Sequence, residues 1–217
     1  MYFRGPTVGG SECGGIAAQC IIAARVALRT GDVVYLTGYN RGGAIAIAVA
    51  KRIRAEFPNA RVLVMALFDA VDEERMFGDL RTIPGNVDCA FHARRDPIVQ
   101  SRSYFGNCGT RAEAPCKLEP LTFVTTHRGM GGVPLGSPPP IQEKIRIKVS
   151  PEMEQRQPAL VHRRMWANLR KEGDRPLTIT RRVPHTRPLC IRHHVHSFNG
   201  CYRVGVSASG LLALLGN

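Results

Sequence analysis

The sequence predicts an α/β fold, a three-layer α/β/α sandwich built around a mostly parallel sheet. Three observations carry that expectation. Short, almost continuous apolar runs such as "DVVYLTG" and "ARVLVMALFD" read as strands covered on both faces. They alternate with segments of helical rhythm, the order that wraps a parallel sheet on both sides. Each run also ends in polar residues, and in a parallel sheet those ends share one edge, where sites are built.

The elements follow in order. The glycine-rich opening "MYFRGPTVGGSECGG" gives way to "IAAQCIIAARVALRTG", a helix of small and aliphatic residues ending at Gly31. "DVVYLTG" is a short strand, and "GGAIAIAVAKRIRAEF" a slim helix with late basic residues that stops before Pro58. "ARVLVMALFD" is the next strand. "NVDCAFHARRD" follows the turn signal "IPGN", and "LEPLTFVTTH" is a fourth strand ending on His127. After Gly132 come the breaker "GGVPLGSPPP", one more candidate strand "IQEKIRIKVS", and a basic amphipathic helix "EQRQPALVHRRMWANLRKEG" around Trp166. Beyond Gly173 an Arg-, His- and Pro-rich stretch has no sustained period. The expected division is a domain over 1–150 and a basic helix with an irregular tail over 151–217.

With 217 residues, the chain is long enough for one sizeable core. Its 44% hydrophobic and 22% charged residues are those of a globular protein. A formal charge of +13 suits an anionic membrane surface, but the basic segment has few interleaved aromatics, so no specific nucleic-acid partner is expected. Seven cysteines at irregular spacing suggest no disulfide framework, and no apolar leader opens the chain. The expectation is a reduced, cytoplasmic protein without a spanning helix, non-classical secretion aside.

The chemistry centres on "GYNRGG". A nucleophile elbow is a sharp strand-to-helix turn that holds its apex at positive φ and needs small residues around it. Gly38, Gly42 and Gly43 supply the space, and Asn40 stands at the apex. Asn tolerates positive φ, but its delocalised amide nitrogen cannot attack a carbonyl as an activated serine does. The other members of a triad follow in the order nucleophile, acid, histidine. His127 lies in the glycine-rich "TTHRGMGG". Two acids compete to orient it: Asp96, which ends "FHARRD" and is favoured, and Asp69, which ends the strand directly after the elbow helix.

The pieces "YFRGPTVGG", "VVYLTGYNRGGAIAIAVA", "LFDAV", "FHARRD" and "THRGMGG" resemble, in this order, the bacterial α/β-hydrolase family related to phospholipase effectors of type VI secretion. That family's pattern looks like "YxxGxGT", "GFSRGA", "FDTV", "HAxAxDE" and "GVHSDVGGG". The resemblance implies an α/β-hydrolase-like domain that hydrolyses carboxylic or phospholipid esters with a Ser-His-Asp triad. Asn40 would hold the nucleophile position, and the backbone N–H of Arg41 would be an oxyanion donor. It also implies that the family's first strand and early oxyanion loop are lacking here. The expected function is a degenerate, impaired hydrolase. A non-catalytic lipid- or protein-binding module on the same scaffold and a truncated fragment are the alternatives. No cofactor is implied.

Blander readings stand beside these. The glycine-rich turn fits neither dinucleotide nor P-loop spacing. His92 lies inside its strand pattern and reads as structural. Cys190, His193, His194, His196 and Cys201 are zinc-ligand types at a spacing that matches no zinc framework, so no metal is expected.

Overall fold

The computed structural model of the chain describes residues 3, 10–72, 77–102, 105–132 and 149–173. Most of the opening segment, all but the last two residues of the candidate strand "IQEKIRIKVS", and everything from 174 on, with the Cys190–Cys201 cluster, lie outside the described residues.

The chain has an α/β-type fold with a parallel main sheet. Helix α1 (Cys13–Arg29) leads to strand β1 (Val34–Tyr39), then to helix α2 (Arg41–Glu56) and strand β2 (Val62–Phe68). After β2 come the two-residue strand β3 (Thr82–Ile83), strand β4 (Val87–Arg95), a 3-10 turn (Pro97–Val99) and the two-residue strand β5 (Arg111–Ala112). Strand β6 (Lys117–Phe123), the one-turn helix α3 (His127–Met130) and the long helix α4 (Pro151–Gly173) complete the described order. The main sheet runs β1-β2-β4-β6 with every neighbouring pair parallel, and β3 pairs with β5 in a separate parallel ribbon.

Successive side chains of a strand point to opposite faces, and the two cores follow that alternation. Leu36 of β1, Met65 and Leu67 of β2 and Ala90 of β4 pack with α1 and α2. Alanines and Cys20 on α1, and Ala44, Ala46 and Ala50 on α2, keep those helices slim enough to lie close to the strands. Tyr35, Val64, Ala66, Phe68 and Phe91 form the other core with Val161, Met165 and Leu169 of α4. Full burial of an aliphatic side chain contributes about 1.5–3 kcal/mol, and three of them at i, i+4 and i+8 dock α4 on the sheet. The expected division at 150 therefore separates a helix that packs with the strands before it.

Strand β6 departs from expectation: it ends at Phe123, and His127 opens a helix capped by Thr126 instead of ending the strand. Among the described strands it lies at the edge of the sheet, and most of its residues are exposed or half-buried; Pro120, which has no N–H to offer a ladder, is tolerated at such an edge. No described helix is long and apolar enough to cross a membrane.

Candidate active site

Because all four strands of the main sheet are parallel, Asn40, Asp69, Asp96 and the His127 loop emerge at one edge. Ladder hydrogen bonds run past the strand ends and fix the turns: Asn40 N–H donates to Phe68 O (3.1 Å), Asp69 N–H to Ala93 O (2.7 Å), and Asp96 N–H to Phe123 O (2.7 Å).

Asn40 joins β1 to α2 with φ 54° and ψ −129°, a backbone that side-chain-bearing residues seldom adopt. Its carbonyl accepts from Gly43 N–H (3.0 Å) and Val71 N–H (3.1 Å), which clamps the turn against the chain leaving β2. A Cβ on Gly38 would overlap the Gly42 carbonyl, and one on Gly43 would overlap Ala70. The two glycines are thus the steric condition for the turn. Asn40 itself is half-buried, and Arg41 is the first residue of α2.

Asp69 also sits at positive φ, 45°, and is fully buried. Its turn is stapled from beneath by His92, whose Nε2 accepts from Ala70 N–H (3.1 Å) and whose Nδ1 lies 3.1 Å from Gly109 O. Those partners require a neutral ring with the proton on Nδ1. Burial pushes the His92 pKa down to about 4, against the opposing pull of its bond to Gly109, so the neutral form holds at ordinary pH. His92 is the structural residue that its sequence context suggested.

His127 opens α3. Its N–H donates to Ser101 Oγ (3.0 Å), its carbonyl accepts from Tyr39 Oη (2.9 Å), and its ring lies between Tyr39 (centroids 5.0 Å apart) and the edge-on Phe105 (5.3 Å). The Tyr39 contacts tie the histidine to the residue next to Asn40. Nδ1 of His127 stands 2.6 Å from Asp69 Oδ2. It is therefore Asp69, and not the favoured Asp96, that meets the histidine. Asp96 caps the 3-10 turn, with its Oδ1 accepting from Ile98 N–H (2.9 Å).

Arg95 was not singled out by sequence. Its guanidinium pairs with the same Asp69 Oδ2, approaches His127 Nδ1 at 3.5 Å, and donates from Nη2 to Arg102 O (3.0 Å). Burial opposes the charge of Asp69, but the hydrogen bond from His127 and the charge of Arg95 outweigh it, holding the carboxyl below its ordinary range. Burial also lowers the His127 pKa, offset in part by Asp69 and reinforced by Arg95 and Arg102. The resulting state is an ionised Asp69 with a neutral imidazole that donates from Nδ1. Its lone pair is on Nε2, the atom a general base uses.

Among the described residues that Nε2 is buried without a partner, as is Asp69 Oδ1. An unpaired buried polar atom costs about 1–3 kcal/mol, and such atoms concentrate where a site has a use for them.

Glu154 is the second residue not foreseen. From α4 its buried carboxylate accepts from Thr125 Oγ1 (2.8 Å), Thr126 N–H (3.0 Å) and the Thr126 hydroxyl. The Thr126 hydroxyl in turn caps α3 by accepting from Gly129 N–H (3.1 Å). A Cβ on Gly129 would overlap Thr125 Oγ1 and crowd Glu154. One legible signal pointed to Glu154: it lies in helical register with Pro158, Val161, Met165 and Leu169, the buried line of α4.

Among the described residues no group of three or more His, Cys, Asp or Glu side chains could hold a metal ion. No known protein-family model matches the chain, and no curated protein sequence is similar to it.

Proposed function

We propose that the chain is an α/β-hydrolase-like three-layer domain whose site is built for acyl-ester hydrolysis and carries an asparagine in place of the nucleophile. The observation that supports this reading best is the His127–Asp69 pair, 2.6 Å apart, with the lone pair of Nε2 unengaged, tied through Tyr39 to a turn with the backbone of a nucleophile elbow. In a serine relative the hydroxyl at this apex would attack, His127 would take its proton and return it to the leaving group, and Asp69 would orient the ring. The Arg41 N–H at the head of α2 would help to hold the oxyanion. With Asn40 the first step has no nucleophile, so the native chain is catalytically impaired. The motif order shared with phospholipase-type hydrolases favours carboxylic or phospholipid esters as the substrate class.

The test is Asn40→Ser, compared with native protein and with Asn40→Ser/His127→Ala, on short- and long-chain p-nitrophenyl esters and with a fluorophosphonate read by intact mass. Expected are covalent labelling and hydrolysis at least about 100-fold above the double variant. A folded Asn40→Ser protein that neither labels nor hydrolyses any ester would sink the proposal.

Asn40 itself favours a second reading, a non-catalytic module that binds a lipid or acyl ligand at the same edge. Ligand carried from a lipid extract by native protein, and lost in a variant that fills the site, would support it.

A further inference from the structure

We propose that the outward face of α4 is a docking surface for an anionic lipid bilayer. The helix turns its acids inward and its bases outward. Glu154 and Glu172 are buried, and only Glu152 of its three acids is exposed; Arg156, Arg163, Arg164, Arg170 and Lys171 are all exposed. A solvated helix face usually interlaces opposite charges four residues apart, and here only Glu152 and Arg156 do so. The exposed face is therefore strongly cationic along its length.

The arrangement of that face repeats every seven residues. Met153, Leu160 and Ala167 form one exposed apolar line, with Met153 43% and Leu160 48% exposed. Arg156, Arg163 and Arg170 form a row along one flank of the line, and Arg164 and Lys171 lie along the other. Because seven residues are close to two helical turns, each set stays on its own strip of the surface. A helical partner would need a second apolar position in each heptad, and the positions three and four residues on are cationic or polar. A nucleic acid would reward the arginines but not the apolar line between them. A bilayer rewards both: the apolar line enters the headgroup boundary, while the flanking guanidinium and ammonium groups reach the lipid phosphates. The opposite face of α4 is fixed on the sheet by Val161, Met165 and Leu169, so the cationic face is presented by a docked, rigid element. The inference is independent of any hydrolytic activity.

The experiment is sedimentation of the full chain with vesicles of phosphatidylcholine alone and of phosphatidylcholine with phosphatidylglycerol, at low and high salt, with duplex DNA as a parallel ligand. Native protein is expected to bind the anionic vesicles and not the neutral ones. Arg156→Gln/Arg163→Gln/Arg170→Gln is expected to weaken that binding about a hundredfold, since each basic residue near such a surface is worth on the order of 1 kcal/mol. Met153→Ser/Leu160→Ser should remove the binding that survives high salt. Arg164→Gln/Lys171→Gln tests the other flank and serves if the triple variant fails to fold by circular dichroism. No vesicle binding, or binding unmoved by changes in both flanks, overturns the proposal, the latter by assigning attachment to basic residues elsewhere in the chain. DNA binding that is tighter than vesicle binding, lost with the arginines and indifferent to Met153 and Leu160, also overturns it in favour of a nucleic acid.

Discussion

Strands β2 and β4 are neighbours, run parallel, and are each followed by an aspartate, yet the two aspartates have opposite fates. Asp69 is fully buried at φ 45° against His127 and Arg95, whereas Asp96 has an extended backbone at φ −68° and spends its side chain on capping a turn. Register explains the difference. Phe68, the last residue of β2, pairs with Ala93, and β4 continues for two more residues. That extension carries Asp96 past the edge where His127 sits and places Arg95 beside the carboxylate instead. The partner of a histidine is set by strand length and register, which order along the chain does not encode.

The largest effect expected from this comparison is on the ester hydrolysis proposed for Asn40→Ser. In that background Asp69→Asn should cost on the order of 10⁴ in rate, because an amide there favours the wrong imidazole tautomer, while Asp96→Asn should leave the rate within about twofold. Ester hydrolysis by the two double variants decides it. Equal losses would mean that the two turns are functionally alike.

Next in size is Arg95. Replacing it with Met leaves the buried Asp69 carboxylate with His127 alone, and breaking one side of a buried charge cluster costs about 3–5 kcal/mol. Urea denaturation of Arg95→Met against the native protein measures it. Arg94, one residue earlier and half-buried, provides the control; Arg94→Met should move stability by less than about 1 kcal/mol.

The sharp turn at Asn40 was legible in the sequence because most of its code is local. Positive φ at Asn40 and the close approach of Gly38 to Gly42 are properties of neighbouring residues, whereas the approach of Gly43 to Ala70 is not. Strands β1 and β2 were legible for the same reason, since a covered parallel strand needs an unbroken apolar run. The Asp69–His127–Arg95 cluster spans 59 residues of chain between Asp69 and His127 inclusive of both ends, and it depends on the β2–β4 register, which composition does not reveal. Glu154 was hidden by the general rule that carboxylates face water. Only its place on the apolar line of α4 argued against that rule. The helix around Trp166 was legible from its amphipathic period, but that period does not say which surface its face of Val161, Met165 and Leu169 meets.

His92 offers a third way to separate the turns, since it supports Ala70 beside Asp69 and has no counterpart described at Asp96. Its folded pKa, about 4, lies below the ordinary value of 6.5, so between these values the unfolded chain binds more protons than the folded one. Stability is therefore fully present above about pH 6.5, falls as pH drops toward 4, and loses up to about 3 kcal/mol from this group. The lowered pKa of His127 adds a loss of the same sign, whereas that of Asp69 matters only below its ordinary value of 3.8. Denaturation midpoints across that range should fall steeply for native protein and less steeply for His92→Gln. Parallel slopes would show that the staple under Asp69 does not titrate as its burial implies.

The smallest effect belongs to Asp96. Among the described residues its carboxylate makes one hydrogen bond, to Ile98 N–H, at a partly exposed turn of three residues, and such a bond contributes a net 0.5–1.5 kcal/mol, roughly. Asp96→Ala should lower stability by about that amount, and Asp96→Ser, which can still accept from the same N–H, should recover most of it. Neither change reaches the Asp69–His127 hydrogen bond, so the low-field proton resonance of His127 Nδ1–H should stay in place in both variants and vanish in Asp69→Asn. A shift of that resonance in Asp96→Ala, with the fold intact, would mean that the two turns are coupled through the Arg95 that lies between them.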